Sequence, residues 1–421
     1  MKGTAEAKAQ VWQEVDRTRE EIVERCCQLV RIPSENPPGA TTALAQHLVA
    51  QLQAEGVATE VYEPRAQNPN IVAHLRPFQR GARTFVLNGH LDTFPVGDPG
   101  EWSMPPFCGA VRDGKIYGKG TADMKGGLAA SLSAFLLLHR LGVSVEGNVI
   151  LMMVSDEETL GPWGTRWVLE QHPEYRGDAC LIGEPVAGAG PAGAITVGGK
   201  GILWLRVTVT GEAYHGGLCE GESAITRTGR IFRVLEGIHG LKVELPPDFD
   251  DVVAAAKAIR VRNRTLEQVI TTVNVNVGRI WGGTKVNVVP SQATMEVDIR
   301  LPLGWTPERM EGLVRERLAA EGVGDVLIEV LNASPPYCIS PKDPFVQTVS
   351  DNAQAVFNQP PSLRYIHATG DNRIFRMFGV PTVDYGCPGY SGIPDEFIWV
   401  ESLIGVTKVH AATAIDVLGL R

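Results

Sequence analysis

The chain predicts an α/β fold carrying an inserted α+β segment, and three observations lead there. Through residues 15–182, short apolar or β-branched runs of strand length alternate with helical patterns. From about Ala194 the texture changes to alternating strands with fewer helices between them. After the break at Ser334-Pro335-Pro336, long helical patterns return. The expected boundaries are 1–193 together with 335–421 for one domain, and 194–334 for a second inserted into it. A length of 421 residues exceeds what one ordinary core holds, which agrees with two domains.

Residues 15–32 read as an amphipathic helix because Ile22, Val23, Cys26, Leu29 and Val30 recur at helical spacing, and 41–54 repeat the pattern. Thr84-Phe85-Val86-Leu87 is a strand expected to stop at Asn88-Gly89 and hand over to His90-Leu91-Asp92. A long apolar helix, 124–141, begins right after Asp123. The runs 148–154 and 179–182 are buried strands leading into Ser155-Asp156-Glu157-Glu158 and Gly183-Glu184-Pro185. Within the insert, 203–209, 271–277 and 293–299 alternate as strands, with helices at 222–238 and 307–320. Helices at 344–357 and 402–419 then rejoin the first domain. His47, His139 and His410 fall inside helical patterns and read as packing or surface residues; Tyr365 and Trp399 read as core. Gly188-x-Gly190-x-x-Gly193 meets a dinucleotide fingerprint literally. Pro191 lies inside it, however, and a strand pattern follows where a helix should open, so it reads as a loop.

A composition of 44% hydrophobic and 21% charged residues is that of a soluble globular protein. No run approaches the ~18 apolar residues of a membrane span. The polar stretch 1–10 lacks the apolar centre of a signal peptide, and the expected location is the cytoplasm. Seven cysteines are scattered without CxxC pairing, which argues against a disulfide framework or a structural zinc site. A net charge of -9 argues against nucleic acid or an anionic membrane as partner. It leaves room for a small anionic substrate, because a metal and local cations outweigh the global field.

Candidate ligands gather where strands end or helices begin, the edge at which open α/β sheets bind ligands. A divalent ion that activates water needs about three or four N/O ligands, an open position and a base to take the proton. His90 and Asp92, two residues apart, fit a ligand and an acid that holds the imidazole's other nitrogen. Asp123 opens a helix, Glu158 and Glu184 follow strands, and Glu157 is left as the base. Any one such acid alone reads as a solvated cap; their joint placement beside glycine or small residues does not.

These residues also carry a resemblance. Asn88-Gly89-His90-Leu91-Asp92-Thr93, Gly118-Lys119-Gly120-Thr121-Ala122-Asp123-Met124-Lys125-Gly126-Gly127, Asp156-Glu157-Glu158 and Gly183-Glu184-Pro185 resemble, in order, the signature of the M20 metallopeptidase and aminoacylase family. Trp102, Pro106-Phe107 and Asp113-Gly114-Lys115 extend the match. The resemblance implies a zinc-peptidase-like catalytic domain, a mixed sheet flanked by helices, built from both ends of the chain. It also implies an inserted α+β dimerisation or lid domain, hence a homodimer or higher homo-oligomer. His90, Asp123 and Glu184 would bind one ion of manganese, zinc or cobalt, while Asp123, bridging, and Glu158 would begin a second site. Glu157 would be the general base and Asp92 the partner of His90. In the insert, His215 of Tyr214-His215-Gly216 matches the family histidine that stabilises the developing oxyanion, often in the partner subunit's site. Asn287 and Arg300 match groups that hold a substrate carboxylate, and Arg373 in Gly370-Asp371-Asn372-Arg373 is a further candidate. For His215 the plain alternative is a turn histidine, and for Arg300 a surface salt bridge.

One departure stands out. The family closes its second site with a histidine three residues before an Asp-Glu pair, and here Gly392 occupies that place ahead of Asp395-Glu396. Tyr390, Ser391, Cys387 and His367 are the available substitutes, and no spacing selects one. The expectation is one functional metal per site. Three functions follow: release of ammonia from an aromatic amine bearing a carboxylate and an electron-withdrawing group, such as 5-nitroanthranilate; hydrolysis of an N-acyl amino acid or dipeptide; or binding without turnover. The first is the expectation because the chain is similar overall to a family member with that chemistry, and the altered site makes the default substrate the assumption to test. The retained Glu157 and His215 argue against the third, since a binder needs neither base nor oxyanion donor.

Overall fold

The structure, a computed structural model, describes residues 2–186, 190–392 and 394–421; Gly188 of the glycine pattern lies outside them. The chain divides into two compact units, Met1–Val197 with Ile339–Arg364 and Gly370–Arg421, and Gly198–Cys338 with Tyr365–Thr369. The stretch 365–369, expected with the first part of the chain, thus clusters with the second.

The first unit is built on a mixed sheet in the order Ala58–Arg65, Asn68–His74, Asn148–Val154, Thr84–His90, Ala179–Ile182, Thr382–Asp384, Ala194–Gly199. Four of these strands, from Asn148–Val154 to Thr382–Asp384, run parallel, so their carboxyl ends open on one edge. Asn148–Val154 and Thr84–His90 are buried along their whole length, which explains their unbroken apolar runs. On one face, Val86, Ile150, Met152 and Ile182 pack with Val168 and Leu169 of helix Thr165–Gln171 and with Ile374 and Phe375 of helix Asn372–Met377. Each such side chain contributes about 1.5–3 kcal/mol on burial. Helices Gly126–Arg140 and Val400–Leu418 pack on each other and on strand Thr84–His90. Both are enclosed along most of their length, and most of their residues are apolar.

Several expected boundaries move. Strand Thr84–His90 does not stop at Asn88-Gly89: Asn88, Gly89 and His90 continue the ladder opposite Met152, Met153 and Val154. Gly89 serves this continuation by its emptiness, since a Cβ there would come within 2.8 Å of Met124 Cε. The first helical pattern begins earlier, as Lys2–Arg17 and Arg19–Arg31, with Val11 and Val15 buried one turn apart. Trp399 is no core residue: it is 44% exposed, with Lys115 Nζ 4.5 Å from its ring centroid. Tyr365 and His410 are buried. No helix among the described residues is long and apolar enough to cross a membrane.

The second unit is a four-stranded antiparallel sheet, Asn274–Gly282, Gln292–Leu301, Gly201–Thr210 and Leu327–Ser334 in that order. Helices Ala224–Ile238 and Pro307–Ala320 cover one face, where Leu203, Leu205, Val207 and Val209 meet Ile231, Leu235, Met310 and Val314. The period-2 burial of Gly201–Thr210 is the alternation seen in its sequence. Leu327–Ser334 is an edge strand with mostly exposed side chains, so no alternation announces it. The strand expected over 271–277 starts only at Asn274. Buried Lys200 gathers the carbonyls of Val269 (2.9 Å) and Thr272 and the Oδ1 of Asn274 (2.5 Å) around its ammonium, which fixes 271–273 as the turn after helix Leu266–Ile270. Burial, aided by Arg264 and Arg300, lowers this lysine to about 7.

Candidate metal centre

His90 ends its strand fully enclosed, and its ring is oriented by Asp92: Nδ1 donates to the main-chain oxygen of Asp92 at 2.8 Å. The expected partner was the Asp92 carboxylate, but its Oδ1 is 3.7 Å from Nδ1. That carboxylate instead accepts from Asn36 Nδ2 at 2.8 Å and from the backbone N–H groups of Glu157 (3.3 Å) and Glu158 (3.1 Å). Asp92 therefore ties the histidine and the two glutamates into one frame. A buried carboxylate left without such donors would cost several kcal/mol.

With Nδ1 committed, Nε2 of His90 faces a ring of acids. Glu184 Oε1 lies 2.9 Å away, Asp123 Oδ1 3.3 Å and Glu157 Oε2 3.9 Å. The Glu184 oxygen is close but off the line a hydrogen bond requires, so the buried Nε2 has no hydrogen-bond partner. Two sets of three side chains bring ligand atoms within 4.8 Å of one another, His90 with Asp123 and Glu158, and His90 with Glu157 and Glu184. The five residues singled out by sequence are thus brought together, and the geometry draws Glu157 closer to the ligand set than its role as a leftover base implied. Glu158 is held in turn by the N–H of Phe94, 2.9 Å from its Oε1.

The turn that presents Asp123 depends on glycine. Gly120 has φ +78°, and a Cβ there would lie 2.3 Å from Thr93 Cγ2. At Gly127 a Cβ would meet the carbonyl oxygen of Gly183 at 1.8 Å, so the helix following Asp123 approaches the segment bearing Glu184 as closely as backbone allows.

The electrostatics call for a cation. Burial first, then Asp371, Glu184 and Asp92, push Glu157 well above the usual carboxylate range. Glu158 rises likewise through burial and Asp123, and Glu184 is raised to about 7 by burial and Asp123. Burial works against a charged His90, yet Glu184, Asp123 and Glu157 outweigh it and raise the imidazole well above its ordinary value. An orphaned imidazole nitrogen among four carboxylates is a donor set fitted to a divalent ion of the borderline N/O class.

Gly392 has φ +70°, and a Cβ there would meet nothing within 4 Å. Neither Cys387, fully buried with its thiol pushed up by burial, nor His367 joins the ligand clusters among the described residues. Arg373 is 4% exposed and donates from Nη1 to Gly370 O at 2.9 Å, which braces the turn carrying Asp371.

In the second unit, the segments bearing His215 and Asn287 are zipped together: Gly216 N donates to Asn287 O and Val289 N to Tyr214 O, both at 2.8 Å. His215 is exposed, and its Nδ1 accepts from Gly217 N at 3.1 Å, which leaves Nε2–H as an outward donor. Arg300 Nε pairs with Asp298 Oδ2 at 2.9 Å, the salt bridge weighed as its plain alternative.

Sequence reasoning missed Asn36 and Glu396. Asn36 is an interior amide in a loop with no pattern to mark it. Glu396, fully enclosed, accepts from the N–H groups of Ala122 and Asp123 at 2.9 and 3.2 Å; an acid four residues after Gly392 was the available signal.

Sheet-edge acids around one imidazole define a metal-dependent hydrolase, and the comparisons carry this to C–N bonds. The chain belongs to peptidase family M20/M25/M40, which it matches over residues 86–416. It is 28% identical over 392 residues to a succinyl-diaminopimelate desuccinylase of Methylorubrum populi, covering 91% of this chain and 94% of that one. A desuccinylase of the same name from Paracoccus denitrificans is 31% identical over 329 residues, 76% of this chain and 79% of the relative. The fold is that of an M20 family metallo-carboxypeptidase from Sulfolobus solfataricus, with a TM-score of 0.77 at 20% identity over 93% of this chain and 98% of that one.

Proposed function

We propose that the chain hydrolyses the amide bond of a small carboxylate-bearing N-acyl amino acid or dipeptide. The observation that carries this is the unpartnered Nε2 of His90 among Asp123, Glu157, Glu158 and Glu184. A bound divalent ion would supply Lewis-acid charge to the scissile carbonyl and acidify water. Glu157, whose raised affinity for protons suits an acid-base role, would take the proton from water and return it to the departing amine. His215 would donate from Nε2–H to the developing oxyanion, in the partner subunit's site of the proposed homodimer. Asn287 and Arg300 would hold the substrate carboxylate. The missing side chain at Gly392 supports one tightly held metal per site.

Release of ammonia from an aromatic amine, the expectation from sequence, gains no support from relatives that carry a desuccinylase name. Amide hydrolysis takes its place. The test supplies N-succinyl and N-acetyl amino acids, dipeptides and amino-nitrobenzoates with Mn2+, Co2+ or Zn2+, and follows amine, acid and ammonia. Turnover of an amide is expected; ammonia from the aromatic panel alone would sink the proposal.

A further inference from the structure

We infer that Glu396 is a positioning residue of the metal centre: its buried carboxylate clamps the turn that presents Asp123. This is what the 389–397 loop contributes in place of the side chain absent at Gly392. The inference rests on the reading of His90, Asp123 and the neighbouring acids as a metal centre.

Glu396 binds the 118–123 turn at both ends. Its main-chain oxygen accepts from Gly118 N at 2.9 Å, and its Oε1 accepts from the N–H groups of Ala122 (2.9 Å) and Asp123 (3.2 Å). The other carboxylate oxygen lies 3.1 Å from Lys119 Nζ, inside the same enclosure. The turn has little means of fixing itself. Gly118 and Gly120 have φ +142° and +78°, open to many conformations in isolation, and Asp123 itself is non-helical at φ -121°, ψ 95°. Two N–H groups enclosed before helix Gly126–Arg140 need an acceptor, and a carboxylate is the strong one. The direction in which Asp123 offers its oxygens is therefore set by a residue more than 270 positions away. Burial beside Asp123 works against a charged Glu396, and Lys119 offsets this.

The experiment compares wild type, Glu396→Ala, Glu396→Asp and the double variant Lys119→Met/Glu396→Gln. Readouts are Mn2+ affinity by calorimetry, the visible spectrum of the Co2+-loaded protein, and thermal unfolding. Glu396→Ala is expected to lose about 10- to 100-fold in Mn2+ affinity, the range for groups that orient a ligand, with an altered Co2+ spectrum. The double variant keeps the Oε1 acceptor and removes the stranded ammonium, and should return close to wild type. Should Glu396→Ala fail to fold, Glu396→Asp decides, because it keeps the charge but is one methylene too short to reach both amides. Wild-type affinity and spectrum in a folded Glu396→Ala or Glu396→Asp protein overturn the inference while leaving the metal centre standing. A wild-type chain that binds neither Mn2+ nor Co2+ overturns both.

Discussion

Asn36 holds Asp92 from a loop 56 residues upstream: its Nδ2 donates at 2.8 Å to the carboxylate oxygen that also receives the N–H of Glu158. Removing the amide strands a buried charge at the point where the histidine and the two glutamates are joined. Asn36→Ala is expected to destabilise the protein by about 1–3 kcal/mol and to weaken metal binding. Denaturant unfolding with and without Mn2+ checks it, and unchanged values in both would show that Asp92 needs only its backbone donors.

Glu157 lies 3.9 Å from His90 Nε2 and is 8% exposed, close enough to serve and enclosed enough to hold a proton. Glu157→Gln should lower kcat by about 10²–10⁴ with KM nearly constant, the range for a lost general base. Retention of more than about a tenth of kcat would remove it from that role.

Gly392 faces open space, so Gly392→His can offer an imidazole without displacing a neighbour. A non-glycine residue at φ +70° costs about 1–2 kcal/mol, a modest loss of stability. Calorimetric titration with Zn2+ or Mn2+ is expected to change from one tight ion per chain in the wild type to two in the variant. Two tight ions in the wild type would refute the one-metal proposal.

His410 supplies a pH dependence independent of the metal. Its Nε2 bonds Tyr385 O at 2.7 Å and its Nδ1 contacts Ser131 Oγ at 3.0 Å in full enclosure. Burial lowers it from 6.5 to about 4. The folded pKa lies below the unfolded one, so the unfolded chain takes up the proton first as pH falls. The stabilisation is complete above pH 6.5 and lost between 6.5 and about 4, on the order of 3 kcal/mol. The difference between the unfolding profiles of wild type and His410→Gln should decline over that window; a flat difference would show that the ring titrates normally.

The candidate ligand residues were legible because strand and helix ends can be read from apolar periodicity, and reactive side chains of an α/β sheet collect there. His90, Asp123, Glu157, Glu158 and Glu184 all sit at such ends. What stayed hidden works through the backbone. Asp92 orients His90 by its carbonyl, Glu396 grips two N–H groups, and Asn36 acts across a loop, none of which leaves a periodic trace. Edge strand Leu327–Ser334 escaped for a related reason, since half-exposed side chains carry no burial pattern to read. Arg373 was legible by its charge alone, and its enclosure and its bond to Gly370 O could not be read from the sequence.

Strand Thr382–Asp384 lies between Ala179–Ile182 and Ala194–Gly199, so the central sheet stays open until the last tenth of the chain has been made. During synthesis the sheet of residues 201–334 has all four of its strands long before the sheet that carries His90 has its own. At about 5–20 residues per second this leaves an interval of several seconds in which a nascent chain carries the acids without the Glu396 carboxylate that accepts from the Asp123 turn. A ribosome stalled before Glu396 would hold a polypeptide with His90 and its four acids already made and the N–H groups of Ala122 and Asp123 still without their carboxylate acceptor.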